Sequence, residues 1–306
     1  MTGVIAEVSA AIATLDRPDG LTRCLDALLL GEVLPAEVLI VDQSRGDATR
    51  SVVERRGASP VPVIYIRQER RGLSASRNVA AARARYPIIA FTDDDCVPEG
   101  GWIAAIDRVL AGPSAPAAVT GRVLPLGADA PGLHVVSLRE GTVRAQFSGR
   151  AIPWDVGTGG NFAARRDWLD RIGGYDERLG AGSPGHAAED ADLFYRLLRA
   201  GARIVYEPDA IVYHERQTTA RRMATRWSYG HGVGAFCGIW LRRGDPYAAH
   251  LLGRWLLGHT RALAAAVARR KWMEARQRSL SLRGTLRGLR YGLRELRGPP
   301  VPKSGA

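Results

Sequence analysis

Three consecutive acids, Asp93, Asp94 and Asp95, follow the apolar run Ile88-Ile89-Ala90-Phe91-Thr92. Carboxylates crowded at the end of a buried strand repel one another and call for a cation. In extended chain Asp93 and Asp95 fall on the same side. Two carboxylates with phosphate oxygens and water form the usual shell of Mg²⁺ or Mn²⁺. The motif is short, and a solvated acidic turn stands beside the metal reading. A second acidic group, Glu189-Asp190-Ala191-Asp192, opens a clear helical pattern. Capping accounts for one or two acids in a first turn. It does not require three, and a carboxylate there could act as a general base.

Four weaker features surround these. Asp42 closes the run Glu37–Val41, either as a turn acid or as an acceptor for a nucleobase N–H or ribose hydroxyl. Arg77 and Asn78 follow Gly72-Leu73-Ser74-Ala75-Ser76 at a helix start, an arrangement that suits a diphosphate or simply leaves a solvated arginine. Gly157-Thr158-Gly159-Gly160-Asn161 permits close backbone approach to a ligand or marks a bulge. Asn161 could then meet a sugar hydroxyl. His214 follows Ile211-Val212-Tyr213 and is either structural or a third metal ligand through neutral imidazole.

The elements that would position these residues alternate. Strands are predicted at Val8–Thr14, Glu37–Val41, Val63–Ile66 and Ile88–Thr92, with helices after Pro18 and from Gly72 to about Arg85. That recurrence suits βαβ crossovers and a largely parallel sheet covered on both faces. Farther on, Trp102–Leu110 reads as helix, Ala117–Val123 as strand, Asp155–Ala164 as extended, and Glu189–Ala200 as a helix ended by Gly201. Short strands are predicted at Arg203–Tyr206 and Ala210–Tyr213. Residues 127–153 carry no clear pattern. The glycines at 180, 182 and 185 suggest a lid.

In this order and spacing the residues resemble glycosyltransferase family 2, the inverting GT-A enzymes. The resemblance runs from Val8 to Glu215, through Leu39-Ile40-Val41-Asp42-Gln43-Ser44, Gly72-Leu73-Ser74-Ala75-Ser76-Arg77-Asn78, Phe91-Thr92-Asp93-Asp94-Asp95 and Ala188-Glu189-Asp190-Ala191-Asp192. It implies an α/β GT-A fold, with a nucleotide-binding half at 1–95 and an acceptor and catalytic half at 96–215. It implies that Thr14, Asp42, Arg77, Asp93 and Asp94 meet the nucleotide-sugar donor, of UDP, GDP or dTDP type. Asp93 and Asp95, with His214, would hold Mn²⁺ or Mg²⁺. Gly160, Asn161 and Glu189 would lie where donor sugar and saccharide or lipid-linked acceptor meet. Asp190 would be the catalytic base. Two departures matter. Gln43 stands where many members carry a second acid. The Gln-x-x-Arg-Trp of processive synthases is absent, because Met223 precedes Arg226-Trp227. Non-processive transfer in cell-surface polysaccharide or glycolipid synthesis is therefore expected.

Of the 306 residues, those from 216 onward carry 19 Arg and Lys against three acids, a net +16, while the first 215 sum to −4. Residues 216–306 are expected to form a basic, mostly helical extension. The leucines of Arg269–Arg297 recur every three or four residues, as in a basic amphipathic helix. The extension would dock peripherally on an anionic membrane or pack on the catalytic body. The rival to an enzyme is a catalytically silent GT-A fold, a scaffold binding membrane or nucleic acid through that extension. The charge is confined to the extension and no nucleic-acid motif occurs, so no nucleic-acid partner is expected. Three scattered cysteines exclude a disulfide scaffold. With no signal-like start and no apolar run of about 20 residues, the expected location is the cytoplasm, with peripheral contact at the inner face of the plasma membrane.

Overall fold

The computed structural model describes residues 4–56, 59–69 and 71–294. In chain order the elements are β1 (Val4–Thr14), α1 (Pro18–Leu29), β2 (Val33–Asp42), α2 (Ala48–Glu54), β3 (Val63–Arg67), α3 (Leu73–Arg83), β4 (Ile88–Asp93), β5 (Cys96–Pro98), α4 (Trp102–Leu110) and β6 (Ala118–Pro125). They continue through β7 (Leu133–His134), β8 (Ala145–Phe147), α5 (Pro153–Val156), β9 (Asn161–Arg165), α6 (Arg166–Ile172), α7 (Glu189–Arg199), β10 (Ile204–His214), β11 (Gln217–Thr218), α8 (Thr219–Arg242), α9 (Tyr247–Ala268) and α10 (Trp272–Arg294).

A nine-stranded sheet has the order β3-β2-β1-β4-β9-β6-β10-β5, with β8 pairing on β10. β1, β2, β3 and β4 are mutually parallel, and β6 and β10 run the same way. β9 is inserted antiparallel between β4 and β6. β5 and β8 are antiparallel to β10. The mostly parallel α/β sheet expected from the repeat is present. Its alternation shows why both faces are covered. Val8, Ala10, Ile12, Val38 and Ile40 enter one apolar cluster, under α1 and α4. Ala11, Leu39 and Val41 enter the opposite one, under α3, α6 and α7. α1 buries Leu21, Leu25 and Leu28, each contributing about 1.5–3 kcal/mol.

Several local readings change. Asp155–Ala164 is not continuously extended: Pro153–Val156 forms a helical turn, and the strand starts only at Asn161. The two short strands after Gly201 are one strand, β10, with a register irregularity between Glu207 and Ile211. The segment around Gly180 and Gly182 is tied down. Leu73 N–H donates to Ala181 O at 2.9 Å and Gly185 N–H to Arg178 O at 2.8 Å.

The extension folds against the body. Phe236, Ile239 and Trp240 of α8 share a core with Leu179, Ala191 and Tyr195. The expected recurrence of leucines is present in α10, but α8 packs on a neighbouring stripe of small residues. α10 begins at Trp272, and its buried face is Ser281, Gly284, Thr285, Gly288 and Gly292. Leu286 and Leu293 are exposed. Gly230, Gly234 and Gly238 of α8 oppose that stripe, and a Cβ at Gly288 would fall 1.9 Å from the His231 carbonyl oxygen. Small residues on both helices let the backbones touch. Residues 295–306 of the expected extension lie outside the described residues.

Candidate active site

The parallel register decides where the site forms. Ala13 pairs with Asp93 and Thr14 with Asp42, so β1, β2 and β4 end at one edge of the sheet. Open α/β sheets bind ligands beyond such carboxyl edges. A cavity of about 710 Å³ lies there, lined by Thr14, Arg77, Asp93, Asp94, Asp95, Gly160, Glu189, Asp190 and His214 among others. Nine expected site residues, scattered over two hundred positions, meet in one space.

Asp42 and Asn161 do not line it. Asp42 is fully buried behind the wall. Its Oδ1 accepts from Ser44 N–H at 2.8 Å and its Oδ2 from the Tyr65 hydroxyl at 2.8 Å. The adjacent Gln43 lines the cavity instead. Gln43 Oε1 accepts from Gly72 N–H at 2.7 Å and its Nε2 donates to Gly72 O at 3.2 Å, joining β2 to the start of α3. The expected sugar contact at Asn161 gives way to a scaffold role. Its Oδ1 accepts from Trp102 Nε1–H at 2.8 Å, and its Nδ2 donates to Arg122 O and Ala210 O at 2.7 and 2.8 Å. Both amide protons are used, and the side chain is 1% exposed. Its neighbour Gly160 keeps its place in the wall.

The acids are held in a lattice of cations. Thr14 Oγ1–H donates to Asp94 Oδ2 at 2.8 Å. Burial pushes the Asp94 carboxyl up to about 6, against the opposing pull of Arg17. Arg17 Nη1 donates to Asp95 at 2.7 Å and lies 3.5 Å from Asp94. Burial opposes the Asp95 charge, but His214 and Arg17 outweigh it and hold the carboxyl below its ordinary value. Arg77, 3% exposed, donates to Asp93 Oδ1 at 2.7 Å and stands 3.6 Å from Glu189. Its guanidinium also lies 5.4 Å from the centre of the Tyr175 ring.

The donor set fits a hard divalent cation. His214 Nδ1–H donates to the Glu215 carbonyl at 2.7 Å, which leaves Nε2 for another partner. That nitrogen faces Asp95 Oδ1 at 3.7 Å. A proton on the imidazole or a shared metal ion would join that nitrogen to the carboxylate. The backbone partner of Nδ1 is the second contact that orients a metal-binding histidine. Ligand atoms of Asp95, Cys96 and His214 all lie within 4.8 Å of one another. Burial and the surrounding acids push the Cys96 thiol up, so it stays protonated. The carboxylate oxygens suit Mn²⁺ or Mg²⁺, and the His214 nitrogen is the softer ligand of the set.

The three acids of the α7 first turn separate. Asp192 is buried beneath the site, receiving Arg196 Nε–H at 2.7 Å and Trp240 Nε1–H at 2.8 Å. Glu189 and Asp190 line the cavity. Asp190 Oδ2 accepts from Gly159 N–H at 3.2 Å and its Oδ1 from Ala191 N–H at 2.7 Å. Burial and the neighbouring Asp190 charge push Glu189 up to about 7, with Arg77 opposing. α7 begins from strained backbone, because Ala188 has φ 69°.

Sequence reasoning missed Arg17 and the aromatic end of the cavity. Arg17 follows β1 by three residues, but its acid partners lie some 78 positions away. Trp154, Tyr229 and Trp255 also line the cavity. Trp154 and Trp255 meet edge to face, with centroids 5.7 Å apart. Two of these three belong to α8 and α9, so the extension builds part of the site.

A sequence model described as glycosyl transferase family 2 matches residues 9–173, more than half of the chain. The chain belongs to glycosyl transferase family 2. A further model of this glycosyltransferase group matches residues 132–282, reaching through α8 and α9 into α10. Family 2 relatives include a pre-mycofactocin glycosyltransferase of Mycobacterium tuberculosis, 30% identical over 169 residues, which are 54% of this chain and 34% of the relative. The chain thus matches about a third of that relative's length. A glucosyl-dolichyl phosphate glucuronosyltransferase of Haloferax volcanii is 25% identical over 230 residues, covering 68% of this chain and 69% of the relative. Among solved structures, a mannosyltransferase of Pyrobaculum calidifontis in complex with GDP-Man and Mn²⁺ shares the fold. Its TM-score is 0.61 at 18% identity, over 93% of this chain and 88% of that one. Among the described residues no helix is long and apolar enough to cross a membrane.

Proposed function

We propose that this family 2 chain transfers a sugar from a nucleotide-sugar donor to a hydroxyl of a saccharide or lipid-linked acceptor, with inversion and without processivity. One observation carries the reading. The candidate base Asp190 and the candidate metal ligands Asp93, Asp95 and His214 line the same cavity of about 710 Å³. The GDP-Man and Mn²⁺ complex of the Pyrobaculum fold neighbour supports a donor of this class, of UDP, GDP or dTDP type.

Asp190 is fixed by the Gly159 and Ala191 amides, each of which occupies only part of one oxygen's acceptor capacity. It takes the proton of the acceptor hydroxyl as that oxygen attacks the anomeric carbon. Glu189 beside it is pushed up to about 7 by burial and by the Asp190 charge, so it can hold a proton near neutral pH. Asp93, Asp95 and His214 would hold Mn²⁺ or Mg²⁺, which supplies charge neutralisation for the leaving nucleoside diphosphate. Arg77 sits beside Asp93 at the start of α3 and adds a buried positive charge for the diphosphate. Thr14 and Gln43 shape the nucleotide end. Synthesis of cell-surface polysaccharide or glycolipid is the setting this reading favours.

A nucleotide-sugar panel screened by thermal shift with Mn²⁺ tests the reading, because a bound donor stabilises the fold by mass action. At least one donor should raise the melting temperature in a metal-dependent way and be slowly hydrolysed. A folded protein that neither binds nor turns over any nucleotide sugar overturns it.

A further inference from the structure

α8 presents three faces. Thr225 and Tyr229 line the cavity, Gly230 and Gly234 abut α10, and Arg222 and Arg226 lie one turn apart between those faces. On α10, Ser281 Oγ–H donates to the Arg226 carbonyl at 3.3 Å. Arg278 stands one turn before Ser281. On α9, Trp255 spans from the cavity wall to Thr285 of α10, donating from Nε1 at 3.0 Å, and His259 stacks on it at 4.1 Å. Three arginines and a histidine from three helices therefore gather beside the aromatic end of the cavity.

Nothing in the described chain neutralises them. Among the described residues the extension holds two acids. Asp245 is occupied by Arg199 at 3.1 Å and the Tyr195 hydroxyl, and Glu274 by Lys271 at 3.2 Å. The Nε atoms of Arg222 and Arg226 are buried without a hydrogen-bond partner. Burial and the positive charges of Arg222 and Arg278 push the Arg226 guanidinium below its ordinary value. Burial, Arg278 and Arg226 do the same to His259. Guanidiniums held together with orphaned donors are an arrangement that an anion stabilises.

We propose that Arg222, Arg226 and Arg278, beside His259, form a phosphate-binding site beside the aromatic end of the cavity. The ligand chemistry is a phosphate or diphosphate monoester, matched to the planar donor forks of arginine. Assigning that anion to the acceptor rests on the glycosyl-transfer reading. The site itself does not, and its test needs no turnover.

The experiment is calorimetry with inorganic pyrophosphate in EDTA, where the Asp93–Asp95 carboxylates repel an anion at the donor end. The full chain should bind, and Arg222→Gln/Arg226→Gln should bind at least about tenfold more weakly, since hydrogen bonds to charged groups contribute about 1.5–3 kcal/mol each. The melting temperature of that variant without ligand should equal or exceed the parent's, because repulsion is relieved. Arg278→Gln, at an exposed position, supplies an independent severalfold weakening should the double variant fail to fold. Sedimentation with mixed phosphatidylcholine–phosphatidylglycerol vesicles separates the sources. Lost pyrophosphate binding with unchanged vesicle binding assigns a mobile phosphate at the cavity mouth. Parallel loss of both assigns a bilayer headgroup. Equal pyrophosphate affinity in parent and variants overturns the site.

Discussion

Gly159 lies so close to Arg77 that a Cβ at position 159 would stand 2.5 Å from Nη1 of that arginine. The same glycine donates its amide to Asp190 at 3.2 Å. One loop residue thus leaves room for the buried cation and holds the candidate base. Gly159→Ala should displace Arg77 from Asp93 and cost about 1–3 kcal/mol of stability, the usual range for overpacking. Urea unfolding and donor titration with Mn²⁺ should show both losses together. Parent-like values in both would mean that the loop relaxes freely.

Asp95→Ala should abolish metal-dependent donor binding while the fold survives. The substitution removes the carboxylate that faces His214 and leaves Arg17 without its 2.7 Å partner. Calorimetry with donor and Mn²⁺ checks this. Unchanged donor affinity in the folded variant would refute the metal assignment.

Asp190→Asn and Asp192→Asn should fail in different ways. The first is expected to keep donor affinity and lose about 10²–10⁴-fold in transfer, the usual contribution of general-base catalysis. The second breaks a pair in which both side chains are 1% exposed. It should lower stability by about 3 kcal/mol or more through an uncompensated Arg196. Rate assays beside denaturant melts separate the two. A larger kinetic defect in a stable Asp192→Asn would move the base.

Glu189 also predicts a pH effect. Its carboxyl is raised from 4.5 to about 7 in the folded protein. Between those values the native state holds a proton that the unfolded state has released, so stability falls as pH rises through that window. Asp94, raised to about 6, acts in the same direction. The buried His231 and His259 act in the opposite direction, so the check is a difference between proteins: in metal-free melts at pH 5 and at neutral pH, Glu189→Gln should lose less stability with rising pH than the parent does. An unchanged slope in the variant would place Glu189 in a solvated setting.

Gly288→Val tests the contact between α8 and α10. Its side chain would meet the His231 carbonyl, which lies only 1.9 Å from a Cβ at that position, with Ala235 N at 2.9 Å. Neither is a flexible side-chain end. The variant should melt well below the parent, and donor binding should weaken because α8 and α9 form part of the cavity wall. A parent-like melting curve would show that the helices separate without cost.

Local chemistry determined much of this protein by itself. The continuous apolar strands at Val8, Val38 and Ile88, spaced by crossovers, point to a parallel sheet with two covered faces, because successive side chains on both faces must be buried. Acids placed just after β4 and at the first turn of α7 follow from the same sequence punctuation, and the carboxyl edge of such a sheet is where a ligand cavity forms. Tertiary structure decided which of those polar groups face the cavity. Asp190 and Asp192 are two residues apart on one helix, so their roles depend on what covers each face, and Trp240 comes from a helix 48 positions later. Asn161 looks available in sequence, yet Trp102 and two carbonyls use its amide. Arg17 gains its meaning from Asp95. The basic extension shows the limit most plainly. Its leucine spacing suggested an amphipathic helix, but the face that meets α8 is a stripe of small residues, because backbone contact between glycines gives closer packing than leucine side chains allow, and only the paired helices reveal that.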